Sequence, residues 1–168
     1  MNLDEAIIVA MGGNLAFEGR PVQAVLEAAA DRLGAEGLEP LKRSRWWRSA
    51  AWPDPSEPPY LNAVALVRTT LDPQGVMAAL QRIETAFGRR RSEPNAPRTL
   101  DLDLIAYGRR VIDQSGLVLP HPRAAARRFV MGPLAEIAPA WRHPVLGETA
   151  QILAERAGIG ADAQALIA

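Results

Sequence analysis

The order of strand-like and helix-like segments is the feature that most constrains the fold of this chain. Three short apolar segments are typical of buried strands, a fourth segment resembles a strand with a polar face, and two segments between them carry apolar residues at helical spacing. In chain order these are a strand in AIIVAMGG, a helix from Pro21, strands in LEPLKRSRWWRS and YLNAVALVRT, a helix from Asp72 and a strand in LDLDLIAYG. We therefore predict an α+β protein with a ferredoxin-like split β-α-β arrangement, in which helices pack on one face of an antiparallel sheet.

Glycine and proline positions predict where these elements end. Gly34 and Gly37 are expected to close the first helix, and Gly88 is expected to close the second. The segment AAWPDPSEPP contains four prolines in ten residues, which predicts a long surface loop. From about Arg123 onward the pattern is mainly helical, so we expect a C-terminal helical extension of the sheet domain.

Length and composition bound the class of protein. With 168 residues the chain has the size of one ordinary domain, and we predict a single domain over residues 1–168. A hydrophobic content of 48% favours a globular protein, and a formal net charge of zero gives no general attraction to nucleic acid or membrane. Cysteine is absent, which excludes disulfides and thiolate catalysis. We expect a monomeric, cytoplasmic protein with no membrane or nucleic-acid partner.

Two carboxylates stand one residue apart in the last predicted strand. On a strand, Asp101 and Asp103 share one face, while Leu100, Leu102 and Leu104 share the other. Neighbouring anions on one face require a cation, and the candidates are arginine or Mg²⁺, which prefers carboxylate oxygens together with phosphates and water. A structural ion-pair network with Arg98 or Arg127 is the alternative interpretation.

Arginines are concentrated in the segment just before this strand. Of the 19 basic residues 18 are arginine, and the segment RRRSEPNAPR contains four of them. Its prolines predict a loop, and such a loop can close over a polyphosphate, although a solvated basic loop is the simpler explanation of the arginines alone. The chain has no G-x-x-x-x-G-K-[ST] phosphate loop.

Three further side chains are candidates for ligand contacts. His121 lies between two prolines and could donate a hydrogen bond to a phosphate, while Tyr60 and Asn62 share a strand face and suit a flat, polar heterocycle. Structural roles are the alternative for each of them.

In their order, these motifs resemble the 6-hydroxymethyl-7,8-dihydropterin pyrophosphokinase family. The resemblance covers nearly the whole chain and rests on GGNL, PYLNAV, RIE, PRTLDLDLI, LPHPR with the following RF, and PLAEIAP. It implies Mg²⁺-dependent transfer of pyrophosphate from ATP to the hydroxymethyl oxygen of the pterin, with release of AMP, in folate biosynthesis. A nucleic-acid-binding module and a family member that binds pterin but turns over poorly are the alternatives.

The resemblance also implies a role for each matching residue. Asp101 and Asp103 would hold two Mg²⁺ ions, and Asp103 would also receive the hydroxyl proton. The implied catalytic residues are Arg89, Arg98, Asp103, His121 and Arg127; those near the nucleotide are Gln81, Glu84 and Arg91; those around the pterin are Ser49, Trp52, Tyr60, Asn62 and Phe129.

Two departures from the family pattern concern the arginine loop. Pro94 and Asn95 stand where many members carry an arginine and a tryptophan, so the aromatic lid over the site is missing. Two consequences are open: loop closure is weaker, or Trp46, Trp47 or Trp52 replaces the aromatic from the proline-rich loop.

Overall fold

The computed structural model describes residues 1–51, 53–89 and 100–167. The strands are β1 Ile7–Gly13, β2 Glu39–Arg43, β3 Trp47–Ser49, β4 Tyr60–Arg68, β5 Asp101–Tyr107, β6 Ile112–Gln114, β7 Leu117–Leu119 and β8 Gln164–Ala165. The α-helices are α1 Val22–Arg32, α2 Pro73–Ala86, α3 Arg128–Ile137 and α4 Ala150–Arg156.

The main sheet is antiparallel and has six strands. Its order is β5-β1-β4-β3-β8, and β2 pairs with the same edge of β4 as β3 does. This is the arrangement of a split β-α-β unit, in which β1 and β4 form the centre and β5 and the β2–β3 segment flank them. The predicted fold class is confirmed, and β6 and β7 form a separate two-stranded hairpin.

The helix boundaries follow the local signals in the sequence. Asp72 caps α2 by accepting a hydrogen bond from the Gly75 backbone N–H at 2.8 Å, and Pro73 occupies the first turn. After α2 the chain turns at Gly88, whose φ of +78° favours glycine. Gly37, with φ of +88°, ends the short 3₁₀ turn that follows α1.

Two apolar cores lie on opposite faces of the sheet. The first core joins α1 and α2 to alternate residues of the strands, including Val9, Met11 and Leu102. The second core joins α3 and α4 to the intervening residues, including Ile8 and Ala10. The prediction that helices pack on one face holds for α1 and α2 but is incomplete, because the C-terminal helices cover the other face.

Two adjacent tryptophans anchor the β2–β3 segment to both layers. The Trp46 indole N–H donates to Glu27 Oε1 on α1 at 2.6 Å, and the Trp47 indole N–H donates to Glu136 Oε1 on α3 at 2.9 Å. Consecutive residues of an extended segment point to opposite faces, so one tryptophan enters each layer.

The C-terminal segment does not remain helical to its end. After α4 it returns to the sheet, where β8 pairs antiparallel with β3. Among the helices of the described residues, none combines the length and the apolar character needed to span a bilayer.

Candidate active site

Asp101 and Asp103, which lie one residue apart in the sequence, are on the face of β5 that belongs to the side of the sheet with the second core. In the pairing of β1 with β5, Asp103 lies opposite Ala10 and Asp101 lies opposite Gly12. Both partners on β1 are small, so no bulky side chain of that strand covers the carboxylates. The three leucines on the opposite face of this segment belong to the first core, as the alternation predicts.

Gly12 makes room for the side chain of Asn62. The two residues are paired across β1 and β4, and a Cβ atom at Gly12 would lie 2.2 Å from Asn62 Oδ1. The carboxamide therefore lies over the backbone of β1. Asn62 on β4, Gly12 on β1 and Asp101 on β5 form one row of paired residues across the sheet. Its Nδ2 atom is buried and has no hydrogen-bond partner among the residues that the structure describes. Such an atom is uncommon in a native protein and suits a ligand acceptor.

A buried ion pair fixes the start of β5 to the end of α2. Arg89 Nη1 donates to Asp101 Oδ1 at 2.7 Å, to the Leu100 carbonyl at 3.1 Å and to Glu84 Oε2 at 3.3 Å. The same oxygen of Glu84 accepts the Leu102 backbone N–H at 2.9 Å. The side chains of Arg89 and Glu84 are only 9% and 4% exposed. Removing Arg89 would leave the buried charge of Glu84 uncompensated. These contacts therefore hold the start of β5 against the end of α2.

The environment of Asp103 disfavours its negative charge. Burial, with Asp101 and Glu84 nearby, raises the pKa of Asp103 to about 7, against the opposing effect of Arg127 and Arg89. Three carboxylates therefore gather where two arginines supply the positive charge. The site is suited to a further cation.

His121 lies near Arg127 and Arg123, and its environment favours the neutral form of its ring. Burial, followed by the charges of Arg127 and Arg123, lowers the pKa of His121 to about 4. Its Nδ1 atom accepts the backbone N–H of Arg123 at 3.2 Å, so the proton of the neutral ring lies on Nε2. The backbone N–H of His121 donates to the Ile105 carbonyl of β5 at 2.8 Å, which places the ring beside the aspartate strand.

The aromatic candidates belong to the same face of the sheet. Tyr60 opens β4 opposite Ser49, and strand alternation places it on the face of Asn62. Phe129, in the first turn of α3, packs against the second core, and the guanidinium carbon of Arg127 lies 5.7 Å from the centre of its ring. The aspartates and the two aromatic residues thus lie on one face of the sheet, which is the candidate ligand surface.

Comparisons with known proteins identify the family. The family model for 7,8-dihydro-6-hydroxymethylpterin-pyrophosphokinase (HPPK) matches residues 8–139. The chain belongs to the HPPK family. The 2-amino-4-hydroxy-6-hydroxymethyldihydropteridine pyrophosphokinase of Synechocystis sp. is 43% identical over 143 residues, which cover 84% of this chain and 71% of the relative. The enzyme of the same name from Pseudomonas aeruginosa is 38% identical over a region that covers 83% of this chain and 85% of the relative.

Solved structures agree on the HPPK fold. The HPPK-DHPS protein of Plasmodium falciparum matches with a TM-score of 0.73 at 12% identity, over 97% of this chain. The match spans only 48% of the Plasmodium chain. At this identity the likeness concerns the fold alone. The family model and the sequence relatives confirm the predicted family and the predicted enzyme class, a diphosphotransferase.

Four of the residues predicted from the sequence lie close together in the structure. Asp101, Asp103 and Arg89 form one cluster with Glu84, which contacts β5 rather than facing open solvent. Gln81 lies one turn earlier on α2 and is exposed. The predictions for Trp52, Arg91 and Arg98, and the departure at Pro94 and Asn95, lie outside the described residues.

The expectation that Trp46 or Trp47 replaces the aromatic lid is wrong. Trp46 is 5% exposed within the first core, and Trp47 is 9% exposed against α3. Both indole N–H groups are bonded to glutamates, so neither ring extends over the site from the proline-rich loop.

The sequence reasoning missed residues that shape this HPPK site without carrying charge. Gly12 belongs to the GGN segment and lies in β1, but three residues are too few to reveal that it faces an amide on another strand. Asn14, directly after β1, is buried, and its Nδ2 donates to the Pro58 carbonyl at 2.9 Å, which ties the proline-rich loop to the end of β1.

Proposed function

We propose that the chain transfers the pyrophosphoryl group of ATP to 6-hydroxymethyl-7,8-dihydropterin with the help of Mg²⁺. The hydroxymethyl oxygen attacks the β-phosphorus, a new O–P bond forms, and the bond from that phosphorus to the oxygen bridging to the α-phosphate breaks. The products are the pterin diphosphate, AMP and one proton.

The observation that carries this proposal is the carboxylate pair on the face of β5 opposite its leucines. Asp101 and Asp103 stand opposite small residues of β1, beside buried Arg89 and within the field of Arg127. A site that combines carboxylates with arginines can hold a polyphosphate and the cations that accompany it.

The donor set fits a Mg²⁺ ion shared with substrate phosphates. In the described part of the chain, no three His, Cys, Asp or Glu side chains are arranged so that they could hold a metal ion by themselves. Mg²⁺ is commonly bound by one or two carboxylates, with phosphate oxygens and water completing its shell, and Asp101 and Asp103 would hold it in this way. When bound, Mg²⁺ neutralises phosphate charge and orients the reacting oxygens.

The neighbouring side chains would hold the triphosphate and the transferred proton. Arg127, with Arg98 and Arg91 of the loop, would balance charge on the phosphates. His121 is neutral and carries its proton on Nε2, so it would donate a hydrogen bond rather than contribute a charge. Asp103 would accept the proton of the attacking hydroxyl group.

The remaining residues would bind the pterin. Tyr60 and Phe129 offer aromatic faces for a flat ring. The Nδ2 of Asn62, which has no hydrogen-bond partner within the described part of the chain, is a donor for an acceptor on the edge of that ring. Backbone groups near Ser49 and Trp52 would complete the recognition. Gln81 and Glu84 would lie on the side of the nucleotide, with Glu84 acting through its contacts to Arg89 and β5.

Product analysis tests the proposal. Incubation with ATP, Mg²⁺ and 6-hydroxymethyl-7,8-dihydropterin is expected to yield AMP and pterin diphosphate in equal amounts, and no AMP when the pterin is omitted. Formation of ADP would contradict pyrophosphoryl transfer. ATP binding without any product would contradict the catalytic assignment.

A further inference from the structure

The C-terminal segment Ile159–Leu166 lies between two walls of the proposed pterin pocket. One wall is the start of α3, which carries Phe129; the other is β3 and the residues after it, Ser49–Ala51. The HPPK family match ends at residue 139, so this segment lies beyond it. Its contacts reach both walls.

The contacts with the start of α3 are made by backbone groups and by one glycine. The Ile159 carbonyl accepts the Arg128 N–H at 2.9 Å, and the Ile159 N–H donates to the Ala126 carbonyl at 3.1 Å. Gly160 has φ of +68°, and a Cβ atom there would lie 2.5 Å from Phe129 Cδ1. The Phe129 ring therefore rests directly on the backbone of the segment.

The contacts with the other wall come from the last residues of the segment. β8 pairs with β3, and the Leu166 N–H donates to the Trp46 carbonyl at 2.9 Å. Asp162 Oδ2 accepts the Ala50 N–H at 2.7 Å, directly after Ser49. This bond to a charged acceptor fixes the chain where the proline-rich loop begins.

Arg128 connects the two sets of contacts. Its Nε donates to the Ala163 carbonyl at 3.1 Å, and its guanidinium carbon lies 5.8 Å from the ring centre of Trp47 on β3. The Arg128 side chain thus contacts the segment and also faces β3, the strand with which β8 pairs.

We propose that Ile159–Leu166 is a positioning element that sets the spacing between Phe129 and the Ser49–Ala51 backbone, and thereby the affinity for the pterin. The proposal rests on the proposed function, since it concerns the same pocket. Gly160 and Asp162 are its positioning residues. Ile159 also pairs with Arg127, which the proposed function assigns to the phosphates. Gly160 contacts Phe129 and Asp162 contacts Ala50, so substitutions at these two residues are expected to leave ATP binding unchanged.

Glycine substitutions provide a matched test of the first wall. Gly160→Ala should raise the KM for 6-hydroxymethyl-7,8-dihydropterin roughly tenfold, because the added methyl group displaces Phe129, with the KM for ATP unchanged. Gly147→Ala controls for backbone strain, since Gly147 has φ of +74° with nothing within 4 Å of its ideal Cβ. Gly158→Ala controls for an added methyl group in open space. Both controls should stay within about twofold of wild type.

Aspartate substitutions test the second wall and remain informative if Gly160→Ala does not fold. Asp162→Ala should raise the KM for the pterin by roughly three- to tenfold, and Asp162→Asn, which keeps an acceptor oxygen, should recover most of this loss. Asp113→Ala, an exposed aspartate on β6, is the control.

Three results would count against these proposals. A pterin KM within twofold of wild type in both Gly160→Ala and Asp162→Ala would overturn the positioning role while leaving the proposed function intact. Equal increases in the KM for ATP and for pterin would also overturn it, because they indicate a general structural effect. A wild-type chain that neither binds nor converts the pterin would overturn the proposed function and this inference together.

Discussion

On the face of the sheet that packs against α1 and α2, β5 contributes Leu102 and Leu104, and Leu100 lies just before the strand; on the opposite face the same strand contributes Asp101 and Asp103. The neighbouring strand β1 repeats the contrast, with Val9 and Met11 in the first core and Ala10 and Gly12 opposite the aspartates. Large aliphatic side chains fill one side, and small ones leave the other side open for charges.

One face of β5 therefore contributes to the stability of the fold, and the other contributes to the proposed chemistry. Burial of the leucine face holds β5 in register, while the aspartate face tolerates a carboxylate whose pKa is raised by burial and by its anionic neighbours. Because the two sets of residues alternate, a change at one position should affect turnover, and a change at the next should affect folding. The predictions below test that separation.

Asp103→Ala should produce the largest effect, a loss of about 10³-fold in turnover, because several kcal/mol of charge stabilisation depend on a metal-binding carboxylate. The melting temperature should not fall, since the substitution removes a crowded anion. Steady-state AMP release and thermal unfolding of the same preparation measure both effects. An unchanged rate would remove Asp103 from the mechanism.

Leu102→Ala, one residue away on the other face, should reduce the free energy of unfolding by about 2–5 kcal/mol through the cavity it leaves. Leu102 is 5% exposed within the first core. The turnover of the folded fraction should remain close to wild type. Urea unfolding gives the free energy, and AMP release at low temperature gives the rate. A strong loss of turnover without loss of stability would contradict the separation of the two faces.

Gly12→Ala should weaken pterin binding by roughly tenfold to a hundredfold, because a Cβ at this position would overlap the Asn62 amide and turn it away from its ligand. Binding of the ATP analogue α,β-methylene-ATP should be preserved. Calorimetric titration of each ligand distinguishes the two effects. Gly34→Ala is the matched control, since nothing lies within 4 Å of the ideal Cβ of Gly34. Equal pterin affinity in both variants would show that Asn62 is free to adapt.

The smallest effect concerns the loss of stability at low pH, which should arise beside the second core. His143 is buried edge-on to Trp141 of the second core, and burial, with the charge of Arg109, lowers its pKa. The folded state then binds fewer protons than the unfolded state, so stability should fall as the pH drops through and below 6.5. Protonation would also oppose the hydrogen bonds that Nδ1 accepts from the Val145 and Leu146 N–H groups.

His143→Asn should reduce this loss, since an amide oxygen can accept the same N–H groups without titrating. Thermal unfolding of both proteins between pH 5 and 8 measures the difference. The contribution of His121 has the same sign and largely cancels from the comparison. A difference that does not depend on pH would exclude His143 as a source of acid sensitivity.

The sequence reveals local features of this fold well. The alternation of leucine and aspartate in β5 and the Asp72-Pro73 helix start are properties of short segments, and each appears in the structure as predicted. The split β-α-β order follows from them, because few topologies satisfy that order of elements.

Features that depend on cross-strand register or on packing could not be obtained in this way. The contact of Gly12 with Asn62 requires the pairing of β1 with β4, and the bond from Glu84 to the Leu102 N–H requires the docking of α2. β8 has only two residues and no pattern of its own. The tryptophan pair could be assigned to opposite faces by alternation, but only the helices on both faces explain why each ring is buried.

The central claim, that the aspartate face of β5 holds magnesium and nucleotide, is tested most directly by thermal unfolding with α,β-methylene-ATP and Mg²⁺. At ligand concentrations about 100 times the dissociation constant, wild type should gain about 2.7 kcal/mol of stability when both are present. It should gain much less when EDTA replaces Mg²⁺, and the double variant Asp101→Asn, Asp103→Asn should lose the Mg²⁺-dependent part. An equal Mg²⁺-dependent gain in wild type and double variant would contradict the claim.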